Sequence, residues 1–189
     1  MSRQGRITAS KALEFMTNGR GKDNVFGETA KTYAKQLALS RLGIETDEGL
    51  STWQMEWGND WEPEAIKVYE QSRGQVHRPG FIEYGEFAGC TPDASIGEDG
   101  LLEVKCPQWK NHMEYLMEGP EKRYIYQMQF QMMVTGAKWC DFMTFHPHFP
   151  DKLKAKVFRI DRDEELIAQF EDRLEPFNEL IESYIQKLS

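Results

Sequence analysis

The stretch LLEVKCP, residues 101–107, carries two charged side chains in a run that otherwise has the composition of a buried strand. Because side chains alternate between the faces of a strand, Glu103 and Lys105 are expected to lie beside each other on one face. A strand with one face in water shows the same alternation, so the pair alone does not define a site. The neighbouring segments decide between the two interpretations.

Asp93 lies ten residues before Glu103, in the segment CTPDASI, and the turn sequence GEDG separates the two segments. A hairpin made from them brings the two carboxylates together only if its loop has an odd number of residues. With Gly97–Asp99 as the loop, Ile96 pairs with Gly100 and Asp93 lies opposite Glu103. An even loop without a bulge would put Asp93 on the other face of the sheet.

Two carboxylates on one face repel each other and favour a hard divalent cation between them, and Mg²⁺ takes oxygen ligands of this kind. Lys105 can then hold or polarise the attacking water. Asp93, Glu103 and Lys105 together therefore predict metal-assisted hydrolysis of a phosphodiester.

Two helical segments could add side chains to this site. Glu62, in WGNDWEPEA, follows Trp61 on a predicted helix, although without the hairpin an exposed glutamate beside Glu64 is the simpler explanation. In YIYQMQFQMMV, Tyr124, Gln127 and Gln131 share a helix face at positions i, i+3 and i+7. An amide on that face could bind a water, a phosphate or a base.

The elements that must position these residues alternate in type along the chain. Helical periodicity covers residues 29–42 and the segment from Trp53 to Tyr69, and strand periodicity follows in VHRPGFIEY, EFAGCTPDASI and LLEVKCP. A helix at 123–135, strands at WCDFMTF and LKAKVFRI, and an acidic amphipathic helix at about 161–189, bent near Pro176, complete the chain. The pattern predicts one mixed α/β (α+β) domain over residues 1–189.

The composition fits a soluble globular protein. The 189 residues are 40% apolar and 29% charged, with no apolar run long enough to cross a membrane. The start MSRQGRITAS lacks the apolar region of a secretory signal. Three widely spaced cysteines favour reduced thiols over a zinc or iron–sulfur site, so we expect a cytoplasmic protein.

The net charge of −8 is unevenly distributed. Residues 1–41 hold eight Lys and Arg against three acidic residues, a balance of +5, and the remainder is therefore −13. A basic first segment could contact phosphates although the body is acidic.

Five segments together resemble one family. RQGRITAS, WGNDWEPEA, CTPDASI, LLEVKCP and YIYQMQFQMMVTG occur in the order found in lambda exonuclease (YqaJ-type viral recombinase) proteins, members of the PD-(D/E)xK nuclease superfamily. The resemblance spans about residues 3–160. It implies a restriction-endonuclease-like core at about residues 50–160, with a central mixed sheet flanked by helices, in the cytoplasm of a bacterium or a phage-infected host cell. It also implies a 5′→3′ double-strand DNA exonuclease that releases 5′-mononucleotides with two Mg²⁺ ions, for which Mn²⁺ could substitute.

The resemblance assigns roles around the hairpin. Asp93, Glu103 and the carbonyl of Val104 look like metal ligands, and Lys105 looks like the lysine that positions water.

Further roles fall on other elements. Glu62 matches the acidic residue on a helix, and Gln127 matches the glutamine near the nucleophile. Arg3 and Ser10 match the pocket for the 5′-phosphate. A helix predicted to begin at ITAS, beside arginines, would suit an anion.

The family also implies a ring-shaped homotrimer around double-stranded DNA ends and a single-strand annealing protein as partner. No membrane partner is expected. Trp53 departs from the family, because a lysine that faces the site is expected there.

Two alternatives stay open from the sequence. An endonuclease of the same superfamily would have the same Asp93, Glu103 and Lys105, and only the phosphate pocket argues for an enzyme that acts at ends. A catalytically inactive DNA-binding scaffold on this fold would usually have lost one of these three residues.

Overall fold

The structure is a computed structural model that describes residues 3–20, 25–44 and 53–188. The predicted start of the core near residue 50 lies outside these ranges. The helices are α1 (Ala12–Phe15), α2 (Glu28–Arg41), α3 (Trp53–Arg73), α4 (Trp109–Glu118), α5 (Lys122–Thr135), α6 (Asp151–Lys154) and α7 (Glu164–Leu188). The strands are β1 (Ile7–Thr8), β2 (Ile82–Tyr84), β3 (Ala88–Cys90), β4 (Ala94–Ile96), β5 (Gly100–Lys105), β6 (Trp139–Phe145) and β7 (Ala155–Asp161).

The strands form two mixed sheets. The smaller has the order β1-β3-β2 and the larger β4-β5-β6-β7, with β5 and β6 parallel and the larger sheet's other pairs antiparallel. The prediction of one strand over EFAGCTPDASI is therefore wrong, because β3 and β4 belong to different sheets. Pro92 lies at the break, and proline cannot donate a hydrogen bond to a sheet ladder.

The hairpin of β4 and β5 has the predicted register. Ile96 pairs with Gly100 and Ala94 with Leu102, so the loop is the three residues 97–99. Gly97 has φ 57°, a conformation that a turn often requires and that glycine adopts without strain. Asp93 and Glu103 are the next pair in this register.

Helices cover both faces of the larger sheet. Leu102 and Val104 pack with Ala65, Ile66 and Tyr69 of α3 on one face.

On the other face, Leu101 belongs to a second apolar cluster with residues of α5 and α7, among them Phe130 and Phe170. Because Glu103 and Lys105 alternate with Leu102 and Val104, they point to the side covered by α5.

One helix differs from its prediction. The helix expected at ITAS is only a 3₁₀ turn, Ala9–Lys11, followed by the four residues of α1, and neither start has a side-chain cap. Two prolines lie inside continuous helices, Pro176 in α7 and Pro63 in α3. Since proline has no N–H, Pro63 cannot bond the carbonyl of Asn59, four residues earlier.

None of the described helices combines the length and the apolar composition that a membrane crossing needs.

Candidate active site

Glu103 is a fully buried carboxylate held by three donors. Its side chain has no exposed surface. Gln127 Nε2 donates to Oε1 at 2.6 Å and Gln131 Nε2 donates to Oε2 at 2.7 Å. Lys105 Nζ lies 2.5 Å from Oε1. The donors come from β5 itself and from the facing side of α5, so the carboxylate has one well-defined orientation.

Lys105 is a cation between two carboxylates. Burial opposes its charged form, but the charges of Glu103 and Asp93 outweigh burial and raise the pKa of Lys105 above its usual range. Its side chain is about a quarter exposed (26%). The ammonium therefore stays charged at any physiological pH and remains accessible from the cleft.

Asp93 is held more loosely than Glu103. Its Oδ2 accepts one hydrogen bond, from the backbone N–H of Val104 at 2.7 Å. Burial, with the charge of Glu103 added, raises the pKa of Asp93 to about 8. A cation bound between Asp93 and Glu103 would neutralise both acids and would therefore strongly stabilise the ionised form of Asp93.

A cavity of about 180 Å³ lies between Asp93, Glu103, Lys105, Gln127 and Gln131. Gln131 is 1% exposed, and its Oε1 accepts no hydrogen bond from any described residue. A buried acceptor without a donor is costly, so this oxygen is expected to face a donor or a cation.

The donor set fits Mg²⁺. Carboxylate and carbonyl oxygens are its preferred ligands, and it commonly uses one or two carboxylates and keeps several waters. The described residues contain no group of three or more His, Cys, Asp or Glu side chains that could hold a metal ion, so a metal at this site would also need backbone carbonyl and water ligands.

The basic start of the chain reaches the same cavity. Arg3, Thr8 and Ser10 line its wall with the site residues. Arg3 Nη2 donates to Ser10 Oγ at 3.1 Å, and β1 holds the segment against β3. The two residues predicted for a phosphate pocket therefore lie together. The helix N-terminus proposed as a further anion contact is absent, because the turn that contains Ser10 is too short.

Glu62 lies at the edge of the site. It lines two larger cavities, of about 530 and 480 Å³, that open next to Asp93 and Lys105 respectively. Its Oε1 accepts a short hydrogen bond from Arg78 Nη2. The structure thus brings Glu62 near the cluster, with its charge already paired.

Of two further residues that contribute here, one had a weak signal in the sequence and the other had none. Gln131 was visible only as a member of the helix face shared with Gln127, and its contact with Glu103 equals that of Gln127. Arg78 had no signal, because its contact with Glu62 depends on how the chain returns after α3.

Cys106 is a buried thiol and not a nucleophile. It is 8% exposed, and burial, with the charges of Glu62 and Asp93, raises its pKa to about 12. The thiolate is therefore scarce near neutral pH.

A four-stranded mixed sheet, covered by helices and carrying an acid pair and a lysine on one hairpin, defines the restriction-endonuclease-like class of nuclease folds. Within this class the chain belongs to the YqaJ-like viral recombinase domain family, because the sequence model of that family matches residues 1–138.

Solved structures give the same result. The chain is 34% identical to the alkaline exonuclease LHK-Exo of Laribacter hongkongensis, with a TM-score of 0.87 over 98% of this chain and 92% of that one. The complex of LHK-Exo with dAMP matches at the same identity and coverage, with a TM-score of 0.86. A phage-related exonuclease of Haemophilus somnus 129PT shares the fold, with 18% identity, a TM-score of 0.85 and coverage of 97% and 96%. No curated protein sequence matches the chain.

Proposed function

We propose that this protein is a Mg²⁺-dependent 5′→3′ exonuclease of double-stranded DNA that releases 5′-mononucleotides in recombination by strand annealing. Membership of the recombinase family and the 34% identity to an alkaline exonuclease support a DNA exonuclease. The proposal of an enzyme that acts at 5′ ends rests on one observation. A single cavity of about 180 Å³ is lined both by the cluster of Asp93, Glu103 and Lys105 and by the Arg3–Ser10 pair. A group that holds a strand end beside a cleavage site favours an exonuclease over an endonuclease.

Asp93, Glu103 and the carbonyl of Val104 would hold the Mg²⁺, with Glu62 near the second of two ions; Mn²⁺ could substitute. Bound there, the metal supplies Lewis acidity and a water of lowered pKa. Gln127 and Gln131 fix the orientation of Glu103, so that both of its oxygens have defined directions. Lys105, permanently charged, donates to the water or to the developing negative charge on the phosphate.

The residues that line the cavity also support recognition of a 5′-phosphate end. A terminal phosphate carries about two negative charges, and Arg3 offers a planar pair of donors to it, with the Ser10 hydroxyl beside the guanidinium. Double-stranded DNA with a 5′-phosphate is the substrate that uses these groups.

The decisive experiment compares three substrates in Mg²⁺: a linear duplex with 5′-phosphate, the same duplex with 5′-hydroxyl, and a closed circle. We expect loss of one strand from the phosphorylated duplex, slow loss from the hydroxyl duplex and an intact circle. Nicking of the circle would show the endonuclease alternative, and absence of hydrolysis would show the scaffold alternative.

Arg3→Ala isolates the phosphate contact. Loss of a charge-assisted hydrogen bond costs on the order of 1.5–3 kcal/mol, so digestion of the 5′-phosphate duplex should slow by roughly ten- to a hundredfold. The 5′-hydroxyl duplex should be barely affected. Lys11→Ala is the matched control, because Lys11 follows Ser10 directly but pairs with Glu14. An equal loss on both substrates would assign Arg3 to the fold instead.

We further propose a ring-shaped homotrimer that acts in the cytoplasm with a single-strand annealing protein. A ring would reconcile the acidic body with a DNA substrate, because the basic first segment, with its balance of +5, need only line the channel. The mass in solution should be three times 22.0 kDa. A monomer at working concentration would contradict the ring.

A further inference from the structure

Arg78 and Glu62 form an ion pair at the mouth of the site. Arg78 lies beyond the end of α3, sixteen residues from Glu62, and its Nη2 donates to Glu62 Oε1. The arginine side chain is 56% exposed, while the glutamate is 22% exposed. The guanidinium is therefore the more solvent-accessible partner of the pair, whereas Glu62 lies on the long helix α3.

The same residues border a cavity of about 530 Å³ that also contains Arg3 and Asp93. Two arginines and two carboxylates face it, so its formal charge is zero when both acids are ionised. A divalent cation at the carboxylates would make it positive and would remove the partner of Arg78. The cavity then suits a phosphate group of the DNA backbone.

We propose that Arg78 is a displaceable counter-ion: it neutralises Glu62 in the metal-free enzyme and, once a divalent cation binds there, turns to a backbone phosphate of the DNA. This role deepens the proposed function and rests on it. This role implies that the metal binds before Arg78 contacts the DNA, because the arginine becomes available to the substrate only after the metal has bound. The proposal has two separable consequences, one for the metal and one for the DNA.

The metal consequence is tested on the DNA-free protein. Arg78→Ala removes the competitor for Glu62, and an exposed ion pair of this kind corresponds to about a two- to fivefold change in affinity. Calorimetric titration with Mg²⁺ should therefore show binding that is about two- to fivefold tighter than in the wild type. Lys67→Ala is the matched control, since Lys67 is an exposed cation on the same helix that pairs with Glu64. Its Mg²⁺ affinity should equal that of the wild type.

The DNA consequence is tested at saturating Mg²⁺. Loss of one phosphate contact by an exposed arginine should raise the KM for the 5′-phosphorylated duplex by about three- to tenfold, with a smaller effect on kcat. The slope of log KM against log salt concentration should fall by about 0.9, the value for one phosphate contact. Arg78→Lys keeps the charge and should retain most of that slope. A residue needed only for folding would not separate KM from kcat in this way.

Unchanged or weaker Mg²⁺ binding by Arg78→Ala would overturn the displacement, and an unchanged KM and salt slope would overturn the phosphate contact. Wild-type Mg²⁺ binding and cleavage of a linear duplex are measured first. If the wild type shows neither, the proposed function itself is refuted. If both are present and Arg78→Ala behaves like Lys67→Ala, only the role of Arg78 is refuted.

Discussion

Substitution of Asp93 by asparagine tests the electrostatics of the site without metal or DNA. In the folded protein, burial and Glu103 raise the pKa of Asp93 from 3.8 to about 8. In the unfolded chain the group has the ordinary value of about 3.9. Between roughly pH 4 and 8 the folded state therefore holds one proton more than the unfolded state, and the free energy of unfolding falls as pH rises. Above the folded pKa this loss is complete.

The size of the effect follows from the shift. One pKa unit corresponds to about 1.36 kcal/mol, so a shift of about four units sets an upper limit of about 5–6 kcal/mol. The part that falls above pH 5.5 is about 3 kcal/mol, and water that enters the cavity lowers it somewhat. Asparagine keeps the shape and an acceptor for the Val104 N–H but never ionises. The stability of Asp93→Asn relative to the wild type should therefore increase by about 2–3 kcal/mol between pH 5.5 and pH 9.

The assay is urea denaturation of both proteins in a metal chelator, at pH steps across this range. Asp99→Asn is the control, because Asp99 lies on the turn of the same hairpin and its side chain is 51% exposed. It should show no comparable change in relative stability. A constant difference between Asp93→Asn and the wild type from pH 5.5 to 9 would refute the raised pKa. Added Mg²⁺ at pH 9 should stabilise the wild type more than Asp93→Asn.

Three further changes have clear expected results. Gln131→Leu removes a donor to Glu103 at similar volume, and steady-state kinetics at saturating Mg²⁺ should show kcat reduced at least about tenfold; an unchanged kcat would mean that Gln127 suffices. Cys106→Ser should leave kcat within about twofold, because the thiol is not ionised near neutral pH; a larger loss would give the sulfur a direct role. Gly100→Ala should destabilise the fold by about 1–3 kcal/mol in urea denaturation, since the new Cβ would lie 2.3 Å from the Trp139 ring; wild-type stability would show that the ring can move.

The hairpin could be predicted from the sequence because its determinants are local. Side-chain alternation placed Glu103 and Lys105 on one face, and the odd loop fixed the position of Asp93. The break between β3 and β4 had a signal too, since Pro92 interrupts the segment that was predicted as one strand. The four longest helices, α2, α3, α5 and α7, could be placed from periodicity, whereas α4, α6 and the short turns after β1 could not.

The unequal environments of the two acids could not be predicted. From the sequence, Asp93 and Glu103 are equivalent members of a crowded pair, and removal of either should relieve repulsion. In the structure, α5 supplies two amide donors to Glu103 alone. Removal of Glu103 would leave those donors and Lys105 without their acceptor, so only Asp93 is expected to be a source of instability. The difference arises from packing between elements about 25 residues apart in the chain, where local patterns carry no information.

For the proposed exonuclease, the break between the two sheets has a consequence for the length of the product. β3 pairs with β1, which follows the segment that contains Arg3, while Asp93 directly precedes β4 of the other sheet. Only Thr91 and Pro92 separate β3 from Asp93, and proline fixes one of the backbone angles in that link. In the proposed exonuclease, this short link would hold the site of the terminal phosphate at a constant distance from the site of cleavage. A constant distance would make every step of digestion the same length, whatever the base sequence.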